Sequence, residues 1–276
     1  MANSVVTNKK GKGIFKRDEW IKESKSLYLS AKMLRSQGDE SKRKFSDANK
    51  NDKSIYELID IATATDKSSR LLLGYAFELL LKSAVLLMNY GATENTISQK
   101  IKFYSHDLLS MIKDLELSLS DCDLNLLDLL SQDIVQQARY PIGIIKDELY
   151  LKTINERNAN LANNKLFNEM VSLYDKIKSM VVKLDNDVEN CAHFNSLTFK
   201  DLSFFMRGGG GLNARCIVIY SSDYPQEKKT KSYLKSILDR NPNGIMRWYT
   251  VYWDEYNFLK IQVKTNSIER LIWFVK

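Results

Sequence analysis

Two charged side chains stand inside an otherwise apolar stretch, Leu71–Tyr90, whose sequence is LLLGYAFELLLKSAVLLMNY. Glu78 and Lys82 are four residues apart, so on a helix they share one face, with the acid N-terminal to the base in the favourable order. A helix that is apolar all round is a buried helix. Because an unpaired charge is costly to bury, both side chains need partners inside the protein, and they are the first candidates for a site.

Acid–base chemistry has few other candidates, because the chain contains only two histidines, His106 and His193. Cleavage of RNA by its own 2′-hydroxyl needs a proton acceptor, a proton donor and a cation for the charge that develops at the phosphate. Arg139 suits the last role, since a guanidinium matches phosphate geometry in a bidentate way. His106 would be the acid–base group if the fold brings it beside Arg139, and Glu78 would then orient or pair with one of them.

A purely structural role for the same residues is equally compatible with the sequence. Glu78 would bind Arg139 or Lys82 in the core, and His106-Asp107 would cap a helix. His193 is predicted to be a structural or exposed histidine. The residues alone leave both interpretations open.

Helical periodicity runs through the first two thirds of the chain and predicts a mostly antiparallel helical bundle over residues 18–193, preceded by a disordered basic tail at residues 1–17. Gln37–Asp52 is dense in Lys, Asp, Ser and Asn, and we expect an exposed loop there with Gly38 as a helix stop. Asp66 or Ser68 is expected to cap the central helix, which Gly91 ends. The other predicted helices are Asp18–Ser36, Lys53–Thr65, Ile97–Ser118, Leu124–Arg139 and Asn164–Glu189.

The pattern changes towards the C-terminus, where four consecutive glycines, Gly208–Gly211, suggest a linker over residues 194–212. Residues 213–276 are predicted to form a small α+β module. The fold class is therefore mainly α, with a helical bundle followed by this module. The predicted elements of the module are a buried strand at Ala214–Tyr220, a helix at Gln226–Arg240, strands at Ile245–Trp253 and Phe258–Lys264, and a last helix or strand at Asn266–Lys276.

Three short motifs occur in a recognisable order along the helical region. They are G-Y-x-x-E-x-x-x-K at Gly74–Lys82, His106-Asp107-Leu108, and Ala138-Arg139-Tyr140-Pro141. Together with the opening W…S…L…SAKML helix, they make the region of about residues 18–189 resemble the HEPN superfamily of small all-α domains (higher eukaryotes and prokaryotes nucleotide-binding).

The resemblance implies a prokaryotic antiphage or toxin-type defence protein in the cytoplasm. Many HEPN domains are metal-independent endoribonucleases that dimerise, so that two copies of an R-x(4–6)-H motif meet. Arg139 matches the arginine, but positions 144–146 hold Ile144, Ile145 and Lys146, of which only Lys146 could take the histidine's place, as a cation. The resemblance therefore implies either a ribonuclease or a non-catalytic scaffold that binds a nucleotide, a nucleic acid or a partner such as an antitoxin.

The C-terminal module suggests a second site. Phe194–Lys276 holds 13 Lys and Arg against 7 Asp and Glu, a net charge of 13 − 7 = +6. Aromatic and cationic side chains interleaved on a sheet suit single-stranded nucleic acid, although they equally suit a solvated sheet face or a protein interface. If the predicted strands form, one shared face carries Arg247 and Tyr249, and the next strand carries Phe258, Lys260 and Lys264.

Other functions are disfavoured by what the sequence contains. The three cysteines are scattered, show no metal-ligand spacing and are typical of free thiols in a reducing cytosol. Residues 1–20 have no apolar core typical of a signal peptide, and Glu78 and Lys82 near the centre of Leu71–Met88 argue against a membrane span. We therefore predict a cytoplasmic protein without a metal or cofactor.

Overall fold

A computed structural model of the chain describes residues 13–48, 54–139, 147–184, 188–240, 244–264 and 268–274. It is mainly α, with a small five-stranded sheet towards the C-terminus, and this confirms the predicted fold class. A short 3₁₀ turn at Gly13–Phe15 precedes the first helix. The helical part comprises α1 (Arg17–Asp47), α2 (Ser54–Met88), α3 (Glu94–Tyr104), α4 (Leu108–Leu115), α5 (Asp121–Arg139), α6 (Asp147–Ala162) and α7 (Asn164–Lys183).

Helices α1 and α2 are longer than their sequences suggest. The predicted loop at Gln37–Asp52 is wrong up to Asp47, which is helical, and residues 49–52 lie outside the described part of the chain. Helix α1 continues through Gly38, where an added Cβ would lie 3.3 Å from the Cβ of Thr65 on α2. Gly38 is thus a point of close helix packing rather than a stop. The separate helix at Lys53–Thr65 is also wrong, because Asp66 does not cap a new helix but sits in the middle of α2, paired with Arg35 and Lys42.

The first helix also begins one residue earlier than predicted. Arg17, assigned to the disordered tail, opens α1, is buried and donates a hydrogen bond of 2.6 Å to the carbonyl of Val181. Further along, the single helix expected at Ile97–Ser118 is divided into α3 and α4. Ser105, with φ at 49°, turns the chain between them.

The central position of Leu71–Tyr90 is confirmed. Leu73, Phe77, Leu80 and Leu81 are fully buried in a core that α1, α4, α5 and α7 also supply. Tyr174 of α7 fills the middle of this core. In the described part of the chain, α2 is the one helix long and apolar enough to cross a membrane, but 78% of its apolar window is buried inside the protein, as in a core helix.

The sheet has the strand order β1-β2-β3-β4-β5, with every pair antiparallel except the parallel pair β3–β4. Helices α8 (Lys231–Asp239) and α9 (Gly244–Val251) lie in the crossover between the two parallel strands. The strands are β1 (His193–Thr198), β2 (Leu202–Gly208), β3 (Arg215–Tyr220), β4 (Asn257–Lys264) and β5 (Ile268–Trp273).

Two C-terminal predictions are wrong and one open choice is resolved. The linker at residues 194–212 is instead the β1–β2 hairpin and the turn into β3, where Gly209, Gly210 and Gly211 adopt φ of 68–74° that favours glycine. Ile245–Trp253 is not a strand, because Gly244–Val251 is α9. The last element, left open between helix and strand, is β5.

Both faces of the sheet are covered at the central strands β2, β3 and β4. One face packs Phe205, Ile217 and Leu259 against the end of α2 and against α3. The other face lies under α8, α9 and the segment around Trp253. A sheet buried on both sides explains the continuous apolar run in β3.

Candidate active site: a His–Glu–Lys cluster

The buried acid of α2 has two partners. A carboxylate oxygen of Glu78 forms an ion pair with Nζ of Lys82, one turn further along the same helix. Its other oxygen, Oε2, lies 2.8 Å from Nδ1 of His106. The side chains of Glu78 and Lys82 are only 7% and 9% exposed, whereas that of His106 is 25% exposed. The cluster is therefore a buried ion pair with an imidazole at its solvent side.

The turn between α3 and α4 positions His106. Asp107, the next residue, caps α4 by accepting a hydrogen bond of 2.9 Å from the amide of Ser110, as the sequence suggested. The amide of Leu108 donates to Oγ of Ser131 on α5 at 3.2 Å, which ties the turn to a second helix. Tyr75 presents its ring edge-on to the imidazole, with 5.9 Å between ring centroids.

The Glu78 carboxylate only accepts hydrogen bonds, so it favours an imidazole of His106 that carries a proton on Nδ1. In the neutral tautomer whose Nδ1–H donates a hydrogen bond to the Glu78 carboxylate, Nε2 carries a lone pair and can act as a base. Among the residues that the structure describes, Nε2 of His106 has no hydrogen-bond partner. Lys82 balances the charge of Glu78, so the carboxylate can orient the imidazole without an uncompensated buried charge.

Arg139 is the last residue of α5, and its side chain lies outside the described part of the chain, as does Lys146 altogether. Helix α5 packs on α2 where Gly74 faces Ile134, whose Cγ1 would be 2.7 Å from a Cβ at position 74. The glycine of the first motif is therefore a helix-packing residue. Ser131, beside the His106 turn, precedes Arg139 by eight residues, which is about 12 Å along a helix axis.

The predicted nucleic-acid face is not formed. Arg247 and Tyr249 are two residues apart on helix α9, so they point to nearly opposite sides: Arg247 is exposed and Tyr249 is buried. Phe258 does lie on a strand, β4, but it is buried beneath Trp253. Lys260 shares that side and lies over the ring of Phe274 at 5.4 Å, while the side chain of Lys264 is outside the described residues.

Sequence reasoning missed a second buried charge cluster, which joins the sheet to the helices. Arg215 of β3 is 1% exposed and donates to Oδ1 of Asn89 at 3.0 Å and to the carbonyl of Asp114 at 3.2 Å. The Asp114 carboxylate also accepts from Tyr104 at 2.7 Å and pairs with Lys100 at 3.0 Å. The available signal was a lone arginine at the head of an apolar strand, analogous to Glu78 in its helix.

Burial and the neighbouring charges shift the pKa values of Arg215 and Asp114 in this cluster. Burial lowers the pKa of the Arg215 guanidinium, and the Asp114 carboxylate opposes that effect. Burial also raises the pKa of the Asp114 carboxyl, but the Lys100 and Arg215 cations outweigh it and hold that pKa below its usual range. Asp114 therefore stays ionised at neutral pH and binds both cations.

His193, predicted to be structural or exposed, is half-buried against aromatic side chains of the C-terminal module. Its ring stands edge-on to Trp248 at 5.2 Å, and Nε2 is 3.4 Å from the hydroxyl of Tyr256. Burial lowers the pKa of His193 from its ordinary 6.5, and the Arg207 guanidinium lowers it further. The fold thus favours the neutral imidazole.

A pH dependence follows from this lowered pKa. As the pH falls through 6.5, the unfolded chain binds a proton at His193 more readily than the folded chain, so the folded state loses stability. We expect the fall in Tm between pH 7.5 and pH 5.5 to be smaller in His193→Gln than in the wild type. Thermal unfolding followed by circular dichroism at both pH values measures it. An equal fall in the two proteins would contradict the assignment.

Comparison of the chain with protein-family models, with curated proteins and with solved structures finds no match. In the described part of the chain, no group of three or more His, Cys, Asp or Glu side chains is arranged to hold a metal ion.

Proposed function

We propose that the chain is a HEPN-like, metal-independent endoribonuclease of a prokaryotic antiphage or toxin-type defence system, with His106 as its acid–base residue. The observation that carries the proposal is the 2.8 Å contact between Glu78 and Nδ1 of a partly exposed His106. A carboxylate that orients an imidazole through Nδ1 and leaves Nε2 available is a recurrent arrangement for proton transfer. The motif order around these residues supports the same family.

In the proposed reaction, Nε2 of His106 removes the proton of a ribose 2′-hydroxyl. The O2′ oxygen then forms a bond to phosphorus, and the bond from phosphorus to O5′ breaks. The imidazolium returns the proton to O5′, directly or through water, which leaves a 2′,3′-cyclic phosphate and a 5′-hydroxyl. Arg139 stabilises the charge on the phosphate oxygens, and Lys146 is a second candidate for that role.

The spacing along α5 favours a site shared between two copies of the chain. About 12 Å of helix separates the backbone of Arg139 from that of Ser131, the residue that contacts the His106 turn, and the resemblance to HEPN domains adds the expectation of a dimer. A homodimer formed through the helical part would bring Arg139 of one copy to His106 of the other. Symmetric dimers of this kind create two equivalent sites.

The first test is cleavage of labelled total RNA and a tRNA pool with EDTA present. His106→Ala is expected to lose activity about 10²-fold or more, the usual contribution of a general acid–base group. Arg139→Ala is expected to lose a similar factor, because it removes a transition-state cation. His193→Gln is the matched control and should cleave like the wild type, since that histidine is structural.

Mixing the two inactive variants tests the shared site. If each site combines residues from both copies, a 1:1 mixture of His106→Ala and Arg139→Ala contains heterodimers with one intact site, and about a quarter of the activity returns. If no activity returns although the subunits exchange, both residues act within one chain. Full activity of Arg139→Ala alone would remove that residue from the proposal.

A second candidate function has a specific observation in its favour. Positions 144–146 hold no histidine, which is where the family's R-x(4–6)-H motif would place it. If the chain without this histidine does not cleave RNA, it is a non-catalytic scaffold that binds a nucleotide, a nucleic acid or a partner protein in the same kind of system. Binding of RNA by a folded wild type that cleaves none of the substrates, with a strong salt dependence of the affinity, would favour this function.

A further inference from the structure

A cavity of about 420 Å³ lies between α1, α2 and α6, away from the His–Glu–Lys cluster. Asp66 on its wall precedes Glu78 by twelve residues of one continuous helix, about 18 Å along the axis. The volume is within the range of small-molecule sites, about 300–1,000 Å³. Its apolar wall is formed by Phe45, Leu58, Ile59, Ala62, Ile154 and Leu161.

The apolar wall extends to the mouth of the cavity. Phe45 and Ile59 are 43% and 42% exposed, although both are large apolar side chains. On α6, Ile154, Arg157 and Leu161 recur at helical spacing and share one face, which is the face that lines the cavity. Exposed apolar side chains gathered around a concavity are typical of a binding site.

The charges of the lining are unbalanced. Among the described residues, the lining contains three cations, Lys42, Lys67 and Arg157, and one acid, Asp66. Asp66 is already engaged, because its Oδ1 accepts from Arg35 at 2.9 Å and from Lys42 at 2.8 Å. Within the described residues, Lys67 and Arg157 have no ion-pair partner, and the described lining has a net charge of 3 − 1 = +2.

The Arg35–Asp66 pair explains why this wall is preformed. Arg35 is 5% exposed and also donates to the carbonyl of Leu161 at 2.7 Å and to Oδ1 of Asn164 at 2.8 Å. One guanidinium thus ties α1 to α2 and to the α6–α7 junction. A preformed wall binds a ligand without first paying the cost of ordering the side chains.

We propose that this cavity binds a small organic anion. The apolar body of the ligand fills the space between Ala62, Ile154 and Leu161, and a carboxylate, sulfonate or phosphate group meets Lys67 and Arg157. Charge-assisted hydrogen bonds from lysine and arginine are the strong contacts expected for such a group. The inference goes beyond the proposed nuclease function and holds whether or not the chain cleaves RNA.

The probe for the test is 8-anilinonaphthalene-1-sulfonate, and its uncharged relative N-phenyl-1-naphthylamine is the comparison. Fluorescence titration of the full chain should show saturable binding of one sulfonate per chain. Lys67→Glu/Arg157→Glu should weaken sulfonate binding by about tenfold or more, because it replaces the attractive charges by repulsive ones, and leave the neutral dye largely unaffected. Ala62→Phe, which fills the cavity, should weaken both dyes.

Lys25→Glu is the matched control, since Lys25 is an exposed cation of α1 that does not line the cavity. Near-ultraviolet circular dichroism of each variant separates a filled or recharged site from a loosened fold, which also binds the dye. Displacement of the sulfonate by octanoate or by phenyl phosphate would identify the preferred anionic group. Non-saturable binding, or equal binding by the wild type and by Lys67→Glu/Arg157→Glu, would overturn the proposal.

Discussion

Glu78→Leu is expected to lower the free energy of unfolding by about 3–5 kcal/mol, because it leaves the buried ammonium of Lys82 without its counterion. The same change removes the acceptor of Nδ1 of His106. Urea unfolding monitored by circular dichroism measures the loss. Glu57→Leu is the control, since Glu57 is an exposed acid of the same helix and its replacement should change stability by no more than about 0.5 kcal/mol.

The double variant Glu78→Leu/Lys82→Leu separates stability from catalysis. A buried ion pair replaced by apolar side chains of similar size is often neutral for stability, so most of the lost free energy should return. RNA cleavage should not return, because His106 still lacks the carboxylate that orients it. A stable double variant that cleaves RNA like the wild type would show that the cluster is only structural.

Arg215→Met is expected to lower the free energy of unfolding by about 3 kcal/mol. The change leaves Oδ1 of Asn89 and the carbonyl of Asp114 without their buried donor. It also removes the guanidinium that lies 5.3 Å from the ring of Trp273, so β3, β5 and α4 lose a shared anchor. The loss is limited because Lys100 and Tyr104 still bind Asp114.

Amide hydrogen exchange shows which elements Arg215→Met destabilises. In Arg215→Met, amide protection should fall in β3 and in α3, which meet at this interface, more than in the middle of α2. Arg240→Met is the control, because Arg240 is exposed at the end of α8. A loss below about 1 kcal/mol, equal to that of Arg240→Met, would contradict the role of Arg215 as a buried anchor.

The pattern of apolar residues predicted the structure correctly in segments where burial alone decides it. The stretch around Glu78 and Lys82 is apolar on all sides, so its place as the core helix and the pairing of these two residues followed from helix geometry. The run that became β3 was readable for the same reason, since both faces of that strand are covered. Asp107 as a helix cap followed from local chemistry.

Short aromatic segments and glycines were ambiguous, because their local pattern fits more than one environment. Gly244–Val251 alternates like a strand, yet it is a helix that places Tyr249 on the core of the sheet and Trp248 near the surface. Gly38 would suit a helix end, but here it allows Thr65 of the neighbouring helix to pack closely. In both cases the deciding contact comes from a distant part of the chain.

The site shows the same division between local and tertiary information. The amino-acid sequence by itself determined that Glu78 is buried, that Lys82 lies beside it and that His106 stands just before a helix. Only the tertiary structure decided that His106, 28 residues away, meets the second oxygen of Glu78, and that Arg215 meets Asn89 and Asp114. The physical reason is that periodicity encodes how deeply a side chain is buried, whereas its partner is set by how the helices and the sheet pack together.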